Sequence, residues 1–350
     1  MIRAATTSKT VESPGAARAD LEQFAQPSSG QDGPHRPVRP DEGAAQVSVA
    51  TRAIGIDLAD LLVRLGAAAD GPPLPGALGL ELSGVVTRAG GGLRAGDPVM
   101  GVTGGGAWAD EVVAPAARFV KLPAGWSFEQ GAAFPVSYLY AFELLWVMGS
   151  ARPGTRVLVH GAAGPVGQAV AQVGRALGCE LVGTAAREKH ALVESLGVVP
   201  VDPAGFAARV RRLTGGRGVD LVLDPVGGDH WRESYEALAP GGRLVAYGPH
   251  PPVAAARARP LLRMVTSFLR APRYSLLDLL ADGKGLLGVN LDHVFDDPAR
   301  MRRRFEQILA LPGISPAVGA LFPVDELGQA LALLQSGQSV GKVVLTLDPP

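Results

Sequence analysis

Cysteine is nearly absent: Cys179 stands alone in 350 residues. One thiol excludes a disulfide framework and any cysteine-rich zinc site, so a reducing compartment is the simplest setting. The six histidines, at 35, 160, 190, 230, 250 and 293, include no pair at ligand spacing, and no metal is expected. Excess charge is missing too, since 33 basic residues balance 33 acidic ones. That balance removes the electrostatic case for nucleic acid. No run of about 20 uninterrupted apolar residues appears, and the opening MIRAATTSKT lacks the apolar core of a signal peptide. A cytoplasmic protein without stable membrane insertion is the expectation.

The length suggests about two domains. Residues 6 to 44 are rich in Pro, Gly, Ser and Ala, and QPSSGQDGPHRPVRPDEG (26–43) reads as a long loop or partly mobile segment. AQVSVATRAIGI (45–56) alternates as a strand, DLADLLVRLG (57–66) reads as a short helix, and GLELSGVVTRAG, DPVMGVT and WADEVVAP read as short strands joined by glycine turns. From about residue 136 the pattern becomes βαβ alternation, with apolar strands expected at 157–160, 180–184, 220–224 and 244–247. The chain then returns to β: the amphipathic stretch VDELGQALALLQSG (324–337) precedes GKVVLTL (341–347). The fold class expected is α/β, a doubly wound parallel sheet with a β-rich companion.

The most informative stretch is VLVHGAAGPVGQAV (157–170). A buried strand meets a helix through a glycine-rich corner, which presents free backbone N–H groups and the positive end of a helix dipole to a phosphate. Ala162, Gly164 and Gly167 occupy the three places of the dinucleotide fingerprint, with alanine in the first. Gly161, Pro165 and Val166 complete the corner. In an NAD site an acid about 20 residues further on takes the ribose 2′-hydroxyl. Here Thr184 and Ala185 stand at that strand end, and Arg187 and Lys189 bring positive charge where a 2′-phosphate would lie. NADPH is the expected cofactor.

With AAFPVSYLYAFELL (132–145), DLVLDPVGG (220–228), GGRLVAYG (241–248) and the final VGKVVL, the sequence resembles the medium-chain dehydrogenase/reductase superfamily from about residue 40 onward. It is most similar to the zinc-free quinone and enoyl reductases of zeta-crystallin type, and to the branch related to the vesicle amine transport protein. GTAAREKHALVESLGV and LLDLLADGKGLLGVNL carry that second likeness. The resemblance implies a GroES-like catalytic domain from residues 1–135 and 294–350, and a Rossmann NADPH-binding domain from 136–293. It further implies Asp224, Val226, Gly227, Tyr247, Gly248 and Lys342 as cofactor-binding residues, and a homodimer paired along LLGVNL (286–291).

Zinc-dependent members carry a Cys in the segment matching GIDLAD and a His after the glycine of GLELSG, where this sequence has Asp57 and Leu80. Without a Lewis acid an alkoxide is hard to stabilise. Hydride delivery to a conjugated C=C or a quinone asks for less, because the developing charge delocalises into an enolate or hydroquinone. Asp57 stands where neutral Asn or Thr is usual, and is either a proton donor or an N-cap for the helix that follows. Tyr138 and Tyr140 are candidate donors to a carbonyl oxygen. Glu81 reads as structural, and Glu143 as facing the surface. Arg257, Arg259, Arg263, Arg270 and Arg273 stand in a basic segment, read as an amphipathic flap over the cleft, a surface for lipid or a carrier protein, or a helix covering the nucleotide domain. Two functions compete: an NADPH-dependent reductase of a small unsaturated carbonyl, with reductive ring closure as one variant, and a non-catalytic NADPH-binding protein.

Overall fold

The computed structural model describes residues 45–64, 78–248 and 271–347. The loop expected over 26–43 and four of the five segment arginines, all but Arg273, lie outside the described residues. Thirteen strands are described, β1 (Gln46–Ile56), β2 (Glu81–Arg88), β3 (Pro98–Val102), β4 (Glu111–Pro115), β5 (Phe119–Lys121), β6 (Arg156–His160), β7 (Glu180–Thr184), β8 (Val199–Val201), β9 (Val219–Asp224), β10 (Leu238–Ala246), β11 (Gly285–Gly288), β12 (Val318–Pro323) and β13 (Lys342–Thr346). The helices are α1 (Leu58–Arg64), α2 (Phe128–Ala133), α3 (Pro135–Phe142), α4 (Pro165–Ala176), α5 (His190–Ser195), α6 (Phe206–Leu213), α7 (His230–Glu236), α8 (Leu276–Asp282), α9 (Asp292–Phe295), α10 (Pro298–Leu309) and α11 (Leu327–Ser336).

The strands form two sheets. The first runs β12-β13-β1-β2-β3-β5, with β4 also on β1. Strand β1 organises it. Its first half pairs with β4 and its second half with β13, both antiparallel, while β2 lies along its whole length. The second sheet is wholly parallel, in the order β11-β10-β9-β6-β7-β8. From β6 the chain winds outward through β7 and β8, then returns to β9 and winds the other way. The ends of β6 and β9 therefore flank the switch point, where open α/β sheets bind ligands. In β6 Val157, Leu158, Val159 and His160 are all buried, as a strand covered on both faces requires.

Helix α3 joins the two sheets. Val136, Tyr138, Leu139, Ala141 and Phe142 are buried on it, in one cluster with Met100 and Val102 of the first sheet and Val157, Val159 and Leu221 of the second. Each large side chain so buried contributes about 1.5–3 kcal/mol. The helix runs on through a π-helical stretch, Glu143–Met148. Glu143, expected at the surface, is instead 2% exposed. Its carboxylate accepts from Arg304 Nε of α10 at 2.8 Å, with Arg300 at 3.8 Å. Two arginines on a facing helix make burial of this acid tolerable.

Candidate functional site

The switch point opens on the glycine corner. Gly161 has φ +69°, and a Cβ placed on it would meet nothing within 4 Å. Gly164 is the N-cap of α4 and brings no side-chain cap, and Pro165 at the first helical position has no N–H to satisfy. The first turn of a 12-residue helix is thus left without a side-chain cap, its positive dipole end uncompensated. Close packing sets the third place of the fingerprint, because a Cβ on Gly167 would lie 2.4 Å from the Gly161 carbonyl oxygen. The alanine in the first place is also accommodated. A Cβ on Gly183, on the neighbouring strand, would come within 2.5 Å of Ala162 Cβ.

At the end of β7 the expected residues separate. Thr184 is buried beneath the corner and its Oγ1 accepts the Gly161 N–H at 3.2 Å. Ala185 is buried as well, its N–H on Val201 O. Lys189 Nζ donates to the carbonyls of Gly337 and Ser339, both at 3.1 Å, so its ammonium is engaged by the loop between α11 and β13. Arg187 remains the exposed cation, with 83% of its side chain accessible and Asp202 3.6 Å away. Asp202 was not weighed from the sequence; it also holds Arg209.

Across the cleft lies a charged floor. Lys342, only 1% exposed, donates to Asp57 Oδ1 at 2.6 Å and forms an ion pair with Glu81 Oε1. The other Glu81 oxygen accepts the Val136 N–H at 2.7 Å, which ties the floor to the start of α3. Asp60 accepts the N–H of Asp57 at 2.9 Å and of Gly79 at 2.8 Å. The N-cap reading of the Asp57 side chain is therefore corrected: Asp60 reaches back to the helix start, while the Asp57 carboxylate turns to Lys342 and leaves Oδ2 without a partner. Lys342 is likewise held by acids rather than turned to the glycine corner. Burial pushes the Glu81 carboxyl up to about 8, against the pull of Lys342. Burial and the neighbouring Asp57 push Asp60 up to about 7. Burial alone would lower Lys342, but Asp57 and Glu81 raise it above the ordinary lysine value.

Of the two candidate tyrosines, α3 offers one to the cleft. Tyr140 is partly exposed, its ring 5.5 Å from that of Tyr247, and burial together with Asp57 and Asp292 raises its hydroxyl above the ordinary value. Tyr138 is 2% exposed, stacks on Phe134 at 4.8 Å and donates to Gln172 Oε1 at 2.7 Å. Its hydroxyl is committed to packing α3 against α4.

The end of β9 supplies a second turn. Asp224 Oδ1 accepts from Val226 N at 2.7 Å and Gly227 N at 3.4 Å, and Tyr247 N–H reaches the Asp224 carbonyl, with Gly248 following. Here the sequence reading missed a constellation. The histidines are not scattered in space: His160 and His230 lie with ring centroids 4.3 Å apart, and with Asp224 they form the one His/Asp group of potential ligand spacing among the described residues. The signal available was position, since His160 and Asp224 are the polar last residues of two buried strands.

A doubly wound sheet with a bare phosphate turn, joined through α3 to an antiparallel sheet with a charged floor, defines an oxidoreductase of the dehydrogenase/reductase class. Residues 43–124 match the model of the alcohol dehydrogenase GroES-like domain, and 165–277 that of the zinc-binding dehydrogenase. The chain is 33% identical over 322 residues to the rat synaptic vesicle membrane protein VAT-1 homolog, covering 89% of this chain and 79% of that one. It is 35% identical over 316 residues to the spectinabilin polyketide synthase system protein NorB of Streptomyces orinoci, spanning 87% of this chain and 13% of NorB. The quinone oxidoreductase of Thermus thermophilus, solved also with NADPH, superposes with a TM-score of 0.71 at 31% identity, over 91% of this chain and 95% of that one. The chain belongs to the medium-chain dehydrogenase/reductase superfamily, in its quinone and enoyl reductase-like, VAT-1-related part. Among the described residues no helix is long and apolar enough to cross a membrane.

Proposed function

We propose that this protein is an NADPH-dependent reductase of a conjugated carbonyl or quinone that works without zinc. The observation that carries the reading is the cleft floor: where zinc-dependent relatives place ligands, this chain has Leu80 and an Asp57 carboxylate bonded to Lys342 at 2.6 Å. The corner fits the cofactor, because Gly161 offers open space and the first turn of α4 is uncapped. Backbone N–H groups of Ala163, Val166 and Gly167 would hold the diphosphate, and Arg187 the 2′-phosphate. When bound, NADPH supplies a hydride to the substrate carbon.

The chain's own groups handle the rest of the charge. Tyr140 keeps its proton at neutral pH, so it donates a hydrogen bond to the substrate oxygen as an enolate develops. Asp57 relays a proton from the Lys342 ammonium, hydrogen-bonded to its Oδ1, to the enolate carbon, and the pair takes up a proton from solvent once the product leaves. Hydride and proton together account for the two hydrogens added. Ring closure in place of protonation needs a second electrophilic carbon in the substrate, which product analysis with a polyene would reveal.

The deciding experiment is single-turnover oxidation of bound NADPH against a panel of quinones, enones and polyenes. Binding without oxidation by any of them would favour the non-catalytic reading. NADPH is expected to bind at least about tenfold more tightly than NADH, the worth of one charge-assisted phosphate contact. Arg187→Ala should narrow that gap in calorimetric titration. Equal wild-type affinities would contradict the assignment.

The partner proposed is a second copy. β11 is an edge strand, and its Leu286 and Leu287 are 36% and 38% exposed. Sedimentation at micromolar concentration should give a dimer that Leu287→Lys dissociates; a monomeric wild type would overturn the pairing.

A further inference from the structure

Two turns flank the switch point, one after β6 and one after β9, and buried side chains connect them. Asp224 Oδ2 accepts from Ser234 Oγ at 2.5 Å and from His230 Nδ1 at 2.8 Å. Ser234 Oγ lies 3.0 Å from His160 Nε2, and His160 Nδ1 lies 3.0 Å from Thr184 Oγ1, which accepts the Gly161 N–H. Asp224 and Ser234 are 0% exposed, His160 2% and Thr184 4%.

Counting protons gives the chain one direction. Burial alone would push the Asp224 carboxyl up, but the His230 hydrogen bond and the neighbouring rings bring it down to about 2, so it only accepts. Ser234 has one proton, and Asp224 takes it. The serine oxygen must then accept from His160, which places the ring proton on Nε2. Burial pushes His160 down to about 3, so the ring is neutral and carries no second proton. Bare Nδ1 accepts from the Thr184 hydroxyl, and the Thr184 oxygen is left free for the Gly161 N–H. Every donor meets one acceptor, in the order Gly161, Thr184, His160, Ser234, Asp224. The spacing of His160, Asp224 and His230 would also suit a metal, but both ring nitrogens of His160 are already used.

We propose that this chain is a positioning device: His160 and Ser234 couple the glycine corner to the turn of Val226 and Gly227, and so hold apart the two backbone segments that receive the dinucleotide. The inference rests on the site being a dinucleotide cleft, as proposed above. Ser234 serves the cofactor through His160 and Thr184. An alanine at Ser234 leaves the His160 Nε2 proton without an acceptor, and the ring is then free to change tautomer or turn away from Thr184.

Ser234→Ala is the test, read in three ways. In the cofactor-free protein, the imidazole ¹⁵N spectrum of the wild type should show His160 as the Nε2–H tautomer, and Ser234→Ala should shift both that ring and the Gly161 amide. NADPH should bind about tenfold more weakly to Ser234→Ala, as for the loss of one buried hydrogen bond, with turnover at saturating NADPH within about twofold. Thr184→Val should weaken binding similarly, and Thr184→Ser, which keeps the hydroxyl, should restore it. A lowered melting temperature with unchanged NADPH affinity would overturn the positioning role. An Nδ1–H tautomer, or an unmoved Gly161 amide, would overturn the chain itself. A wild type that binds neither NADPH nor NADH would instead overturn the dinucleotide reading, which is a different failure.

Discussion

Asp57→Asn is expected to slow reduction of a conjugated carbonyl by about 10² to 10⁴-fold, with the NADPH dissociation constant unchanged within about twofold. The amide keeps the size of the carboxyl, and its oxygen can still accept from Lys342. The bond from the Asp57 N–H to Asp60 is made by backbone and survives the change. What disappears is a group able to release a proton. Stopped-flow oxidation of NADPH under saturating substrate measures the loss directly. Full turnover in Asp57→Asn would leave Asp57 as a partner for Lys342 only, and Tyr140 would become the first place to look for the acid.

Lys342→Met is expected to cost about 3–5 kcal/mol of stability, the usual result of removing one partner from a buried ion pair. Asp57 and Glu81 would be left facing each other, with Asp60 close by. Chemical denaturation measures the loss, and Asp57→Asn added to Lys342→Met should recover part of it by removing the stranded carboxylate. The sign with pH follows from Glu81. Its folded value of about 8 lies above the ordinary 4.5, so the native state holds a proton that the unfolded chain gives up. Its contribution therefore falls as pH rises from about 4.5 towards 8. Without Lys342, which pulls the Glu81 value down, that fall should continue to higher pH, and a loss independent of pH would count against this account.

What was legible in the sequence was local. The corner from Gly161 to Gly167 announces itself because strand, turn and helix are contiguous, and the parallel strands because a sheet covered on both faces needs unbroken apolar runs. The floor of the cleft was not legible in this way. Asp57 and Lys342 are 285 residues apart, and no spacing rule could show that they meet. The same holds for His160 and Ser234, 74 apart, and for Glu143 and Arg304, 161 apart. Residue type also misled. Lys189 reads as a phosphate ligand until the carbonyls of Gly337 and Ser339 arrive, and Tyr138 as a donor to substrate until Gln172 accepts its hydrogen bond. A polar group's partner is a property of the tertiary fold, so sequence gives its chemistry but not its commitment.

The return of β13 to β1 bears on how the chain is made. The parallel sheet is drawn from residues 156 to 288 and can assemble as a continuous stretch. The antiparallel sheet cannot, because the second half of β1 finds its partner only when residues 342 to 346 emerge. At about 5–20 residues per second, the 285 residues between Asp57 and Lys342 take about 15 to 60 s to synthesise. For that interval Asp57 and Glu81 lack the Lys342 cation, and the second half of β1 has a neighbour on one side only. Closing so long a loop comes late in any folding sequence. The cleft floor is therefore the last part of the site to form, and a ribosome stalled shortly before Lys342 would hold a formed phosphate turn facing an unfinished catalytic half.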